Sequence, residues 1–425
     1  MSTSKQSAGG RLRVITIDQL VSGASNVLIA VLAARLLGVA SFGLFGIVFL
    51  VYTIAIGVTR ALVSEPLLVH PEEAKQRRGE VIGSIALLSL GLTVLLIIVG
   101  LVARIFNASL GDSLLVLAVC LPLLVLQDLG RYLSFATQTP GFAVVLDAVW
   151  LIAMLGGVAV LFARDGRTLA SFIAAWAGSG AAAGVLLFAR YPLRGVRLGF
   201  SWLRYTWGFS WRYLMAYTST QGAQLGASSG LGAIAGGRAL GAVNGGLLLT
   251  RPFTTFQSAS MAAGIGEIRR SATATEGRRH VARTAWLTTA VAVLNGLVIV
   301  TLPTKLGEVV LGAGTWHAAR PIMLAVGVQI VCMGLMTGAR AGLVGMRRIR
   351  EATTIDVVSS IALVAVSIGG ALIGGLVGCM WALAVGRALF LIPWWVTFTT
   401  RGRRSELFQT PAAPLSAVPA AGTRH

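Results

Sequence analysis

Charge is scarce in this sequence, and what there is leans to one sign. Asp, Glu, Lys and Arg make up only 12% of the 425 residues, with 15 acidic side chains against 35 basic ones. A soluble domain carries roughly twice that charged fraction, so a water-soluble fold is excluded. Histidine is limited to His70, His280, His317 and His425, scattered over loops and tail. Membrane enzymes that use metal or acid–base chemistry gather carboxylates or histidines at one site, and no such cluster is present. No Gly-Lys-Ser/Thr loop exists to cradle a nucleotide phosphate. The reading is therefore not an enzyme, with no cofactor. The cysteines, Cys120, Cys332 and Cys379, fall inside apolar segments without a pairing pattern and read as small core residues.

What is abundant is apolar. The chain is 56% hydrophobic with a mean hydropathy of +0.81. Apolar stretches recur, each long enough to cross roughly 30 Å of hydrocarbon. The fold class this predicts is an all-α integral membrane protein of about 12 transmembrane helices. The expected spans lie near 14–35, 42–63, 81–102, 113–133, 142–163, 169–189, 209–235, 240–263, 284–303, 319–343, 354–375 and 379–399. The net charge of +20 sits mostly on one side of these spans, at positions such as Arg77, Arg78, Arg197, Arg278, Arg279, Arg347 and Arg348. Arg35, Arg104, Arg238 and Lys305 fall on the other side. That bias places both termini in the cytoplasm and accounts for the surplus without nucleic acid.

Two stretches share a skeleton. Arg35-Leu36-Leu37-Gly38 running to Phe42-Gly43 returns, 203 residues on, as Arg238-Ala239-Leu240-Gly241 running to Asn244-Gly245. Arg131 and Asp147 stand sixteen residues apart, as do Arg340 and Asp356. A duplicated six-helix unit explains both, with two lobes related by a pseudo-two-fold along the membrane normal. The expected organisation is a cytoplasmic segment at 1–13, an N-lobe at 14–190, a cytoplasmic amphipathic linker at 191–208, a C-lobe at 209–400 and a disordered cytoplasmic tail at 401–425. In the linker, arginines alternate with Trp202, Tyr205 and Trp207. That pattern suits a segment lying on anionic headgroups, and equally an ordinary basic loop.

Polar residues inside the spans are the candidate site. Asp18, Ser25 and Asn26 share a face of the first helix; Gln221 and Ser228 occupy matching places in the seventh. Such faces either line an aqueous cavity or glue helices together. Arg251, followed by Pro252, falls near the middle of the expected eighth span, and Arg387 lies inside the twelfth. An arginine at mid-bilayer costs a few kcal/mol and turns towards a cavity or a partner. Arg60, nearer a helix end, is expected to snorkel. A cationic cavity favours phosphate or carboxylate, whose oxygens fit the guanidinium fork.

With Asp18-Gln19, Ser25-Asn26, Ala34-Arg35-Leu36-Leu37-Gly38, Phe42-Gly43 and the basic loop Glu72–Arg78 in view, the chain resembles the multidrug/oligosaccharidyl-lipid/polysaccharide exporter superfamily, most closely its polysaccharide-flippase branch. That resemblance implies a flippase or exporter in the bacterial inner membrane. It would carry a lipid-linked, pyrophosphate-bearing oligosaccharide between leaflets by rocking two lobes around a cationic cavity. Arg251 and Arg387 would meet the pyrophosphate. Implied partners are the lipid-linked glycan, anionic membrane lipids and envelope glycosyltransferases or a polymerase. Two other readings stand beside it: a cation-coupled multidrug or metabolite antiporter of the same superfamily, and a non-transporting scaffold for cell-envelope synthesis.

Overall fold

A computed structural model describes residues 25–403 apart from positions 70, 138, 140, 165–167, 192–194 and 272. Every regular element among the described residues is helical. Helix α1 (Ser25–Leu36) ends at a break over Leu37 and Gly38. Helix α2 (Val39–Thr59) then passes through a π-helical turn (Arg60–Ser64) into α3 (Glu65–Val69). After α4 (Pro71–Gln76) come the long helices α5 (Arg78–Phe106), α6 (Ala108–Ala136), α7 (Gly141–Ala163) and α8 (Leu169–Arg190). Their starts are set by local chemistry. The Asn107 side chain accepts from the Leu110 amide at 3.0 Å and Thr168 caps Ser171, each satisfying one of the free first-turn donors.

The second half is more broken. Helix α9 (Ser201–Leu249) kinks at Gly236, where φ is +78. Helices α10 (Arg251–Arg270) and α11 (Ala274–Thr301) follow. Two short helices, α12 (Thr304–Leu311) and α13 (Ala313–Ala319), lead through a 3-10 turn (Arg320–Ile322) into α14 (Met323–Gly345). Helix α15 (Ile349–Arg403) is two helical segments meeting at Gly374 and Gly375, the second with φ of +58, a conformation open to glycine. Eight helical stretches among the described residues are long and apolar enough to cross a membrane. The protein is a multi-pass membrane protein.

The chain divides into two compact units. The first comprises Met1–Leu249, Leu302–Met323 and Ser360–Ala382; the second comprises Thr250–Thr301, Leu324–Ser359 and Leu383–His425. In the first, α6 is central, packing against α5, α7 and α8. Rings of Phe45, Phe49, Tyr52, Phe172 and Trp176 fill the space beside it, Tyr52 meeting Trp176 edge-on at 4.9 Å. The core of the second unit gathers Ile268, Val281, Leu343, Trp394 and Phe398. Lipid tails are as apolar as these side chains, so burial alone does not hold the helices together. Close packing and polar pairs supply the attraction.

Three expectations need correcting. The eighth span does not run unbroken over 240–263, because the helix stops at Leu249 and restarts at Arg251 across Thr250. Pro252 is the cause: it offers no amide and its ring crowds the carbonyl four residues earlier. Arg251 therefore opens α10 rather than sitting mid-helix. The linker expected over 191–208 is irregular at 195–200, and Ser201 already begins α9. Arg60 does not snorkel but pairs with Asp128. The cysteines are free, with Cys332 and Cys379 buried.

Candidate functional site

In the first unit the membrane-embedded charges satisfy one another. The π turn opens α2 at Arg60, whose Nε and Nη2 donate to the two oxygens of Asp128 at 2.9 and 2.6 Å. Arg131, on the same helix as Asp128, lies 3.8 Å from that carboxylate and 3.4 Å from Asp147. Gln127 Nε2 completes the set by donating to Asp147 at 3.0 Å. Two guanidiniums thus face two carboxylates. The π turn also frees carbonyls from regular helix bonding, and α9 captures them: Ser210 donates to Leu62 and the Trp202 indole to Val63.

The second unit repeats one pair and then departs from the pattern. Arg340 Nε and Nη2 donate to Asp356 at 3.1 and 2.8 Å, the counterpart of Arg131 with Asp147. The residue 209 positions after Asp128 is Thr337, which accepts from Gln257 instead of carrying charge. Arg251 is exposed at the start of α10, its neighbour Thr250 serving only as a backbone cap. Among the described residues it has no carboxylate partner. Arg387, inside α15, has a buried Nε with no hydrogen-bond acceptor, and its nearest electrostatic neighbour is the Cys332 thiol. A desolvated guanidinium N–H costs free energy unless something accepts from it. Among the described residues, Arg251 and Arg387 thus lack the carboxylate partner that Arg340 has.

The other candidates lie in the first unit. Ser25, Asn26, Gln221 and Ser228 are all half-buried, and Gln221 donates to the Tyr217 hydroxyl at 3.4 Å. Asp18 lies outside the described residues. The structure groups the two arginines in one unit and the polar side chains of α1 and α9 in the other.

The two copies of the repeated stretch meet. Gly43 of α2 lies on the backbone of α9: a methyl there would overlap the Gly237 carbonyl oxygen and come within 2.7 Å of the Gly241 amide nitrogen. A methyl on Gly241 would overlap the Val39 carbonyl oxygen. The Asn244 amide donates to the carbonyls of Phe42 and Gly43, both at 3.3 Å, and Thr315 donates to Ala34 at 3.2 Å. Backbone touches backbone here with no side chain between.

The fold has solved counterparts. A multidrug resistance MATE family transporter of the MOP superfamily, in an inward-facing conformation, superposes with a TM-score of 0.72 at 13% identity, covering 95% of this chain and all of that one. The lipid II flippase MurJ, in an inward closed conformation, gives 0.68 at 10% identity over 91% of this chain and 87% of that one. A MOP superfamily transporter from Pyrococcus furiosus, described as having a binding pocket of reversed polarity, gives 0.59 at 14% identity over 97% of this chain and all of that one. No family model matches the sequence, and no curated protein matches it either. The chain has the fold of the MOP superfamily transporters, as its resemblance implied.

Proposed function

We propose that the protein is a flippase or exporter of a lipid-linked, pyrophosphate-bearing oligosaccharide in a bacterial plasma membrane. It has twelve spans in two lobes, 14–190 and 209–400, with both termini cytoplasmic, and performs no covalent chemistry. The carrying observation is the pair of arginines in the second unit. Arg387 has a buried N–H without an acceptor and Arg251 has no acidic partner among the described residues. A diphosphate supplies both acceptors and charge, and guanidinium forks fit it better than point charges do. Ser25, Asn26, Gln221, Ser228 and Asp18 are further candidate substrate-binding side chains in this reading. The two copies of the Arg35 stretch form the closure on the outer side, and the two relatives with the higher TM-scores are both inward states.

The antiporter reading is favoured by the MATE transporter's higher TM-score. It needs a free carboxylate for a cationic substrate; Asp128 and Asp147 already face arginines, which leaves Asp18 and the half-buried Glu65 at the start of α3 to serve. The scaffold reading makes Arg251 and Arg387 dispensable.

The test is reconstitution into vesicles with a fluorescent polyprenyl-diphosphate oligosaccharide, followed by quenching from one side. Each of Arg251→Ala and Arg387→Ala should slow flipping by about tenfold or more, the worth of a charge-assisted hydrogen bond. Lysine at either position should recover only part of the rate. Full flipping in both alanine variants would sink the reading, and cation-driven export of a lipophilic cation instead would establish the antiporter.

A further inference from the structure

Between α8 and α9 the backbone over 195–200 is neither helix nor free loop. It is strapped onto the first two turns of α5. The Arg197 amide donates to the Gly79 carbonyl at 3.4 Å and Ser84 Oγ to the Gly199 carbonyl at 2.7 Å. A methyl on Gly79 or Gly83 would overlap the Gly195 or Arg197 carbonyl oxygen, so the two glycines, one helical turn apart, form the seat. The strap ends in an anchor: Trp202 is fully buried, its indole N–H bonded to the π turn of α2.

This fixed backbone presents a mixed surface. Phe200, Arg204, Trp207 and Trp211 follow at i, i+4, i+7 and i+11, one face of a helix, and all four are exposed. Arg197 is exposed beside Leu198. Arg77 lies with its guanidinium over the Tyr205 ring at 4.6 Å, where Glu80 takes up its charge at 2.6 Å. Glu80 also feels Arg197, so one carboxylate stands against Arg77 and Arg197, and Arg204 is exposed with no carboxylate partner among the described residues. A solvated loop has no use for three large exposed rings in register with an arginine. An acyl chain needs the rings, and the phosphodiester above it needs the arginines.

We infer that the strap is a binding site for an anionic phospholipid, its phosphate on Arg197 and Arg204 and one acyl chain along Phe200, Trp207 and Trp211. The lipid lies on the face of α9 turned away from the buried one, where Trp202 bonds to Val63 and Ser210 to Leu62. The site stands whichever substrate crosses the membrane, and its test reads lipid binding alone.

Purified full-length protein is placed in phosphatidylcholine vesicles containing brominated phosphatidylglycerol, and quenching is read as the signal that Trp207→Phe/Trp211→Phe removes. The wild type should prefer phosphatidylglycerol to brominated phosphatidylcholine. Each of Arg197→Gln and Arg204→Gln should cut that preference about fivefold, the usual contribution of one surface arginine. Arg197→Lys/Arg204→Lys should retain most of it, which separates lost charge from lost fold. Equal quenching by both lipids in the wild type overturns the site. So does an undiminished preference in the glutamine variants, or an equal loss in Arg278→Gln/Arg279→Gln, which would mean diffuse surface charge.

Discussion

Adding one methyl at Gly241 tests whether the meeting of the two repeated stretches is a closure that opens. The new Cβ would lie 2.9 Å from the Val39 carbonyl carbon and closer still to its oxygen, where ordinary contact begins at 3.4 Å. The obstacle is backbone, which cannot rotate away as a side chain can, so α2 and α9 must part. Overpacking of this kind costs about 1–3 kcal/mol. If opening relieves it, the closed state loses roughly 5- to 150-fold in population. Spin labels at Arg35→Cys and Arg238→Cys, both exposed positions, report the separation by pulsed electron resonance in a background lacking Cys120, Cys332 and Cys379. Wild type should show one short distance, and Gly241→Ala a second, longer one. Two controls bound the reasoning. Gly38→Ala meets nothing within 4 Å and should leave the distances alone. Gly46→Ala meets only the Asn244 side chain, which can swing aside, and should give a smaller shift. An unchanged distance distribution with Gly241→Ala, together with unchanged transport, would refute the reasoning and make the junction passive packing.

Asp128→Asn leaves Arg60 and Arg131 facing one carboxylate in a site where Asp128 is only 2% exposed. Breaking a buried pair from one side costs about 3–5 kcal/mol, so the thermal midpoint in detergent should fall by several degrees; Asp128→Asn with Arg60→Gln should recover part of the loss. Pro252→Ala restores the missing amide and lets α9 run into α10. Hydrogen exchange should then slow over 248–256 while the flipping rate falls; no change in exchange would mean that Pro252 does not hold the break.

Much of the fold was legible because it rests on local signals. Apolar length gave the long helices, glycine pairs gave the turn at Gly374–Gly375, and the sixteen-residue spacing gave the Arg131–Asp147 and Arg340–Asp356 pairs. What was not legible depends on partners far along the chain. Arg60 lies 68 residues from Asp128, and nothing near Arg60 announces a π turn. The break at Thr250 was legible in principle, since Pro252 stood in plain view, but an apolar run on both sides hid it. The repeated stretch marked the two halves as copies. That the copies touch could not be read from either, because a glycine suits a tight turn and a close helix crossing equally well. For the candidate site, residue type and span position picked out Arg251 and Arg387. That Arg60, Arg131 and Arg340 face carboxylates, as those two do not among the described residues, needed the ion pairs.

Symmetry and its violation divide the labour in this chain. Where the halves agree, at the glycine junction and at the Arg–Asp pairs, the interactions are closed: donors meet acceptors and charge meets charge. Such places can hold a state but can offer nothing to a ligand. Where the halves differ, Asp128 has become Thr337 and Arg251 stands where the first half has Val48. The first change is matched by Ala263, 203 positions after Arg60, so the Arg60–Asp128 pair is missing whole; the second adds a charge that no described carboxylate meets. A buried guanidinium N–H such as the Nε of Arg387 costs free energy until an acceptor meets it. On the proposed function, Arg251 and Arg387 of the second unit are where an anionic substrate would change the energy. Arg251 follows α9, the helix that carries Gly241, across Thr250 alone, so the open charge and the closed contact are neighbours along the chain.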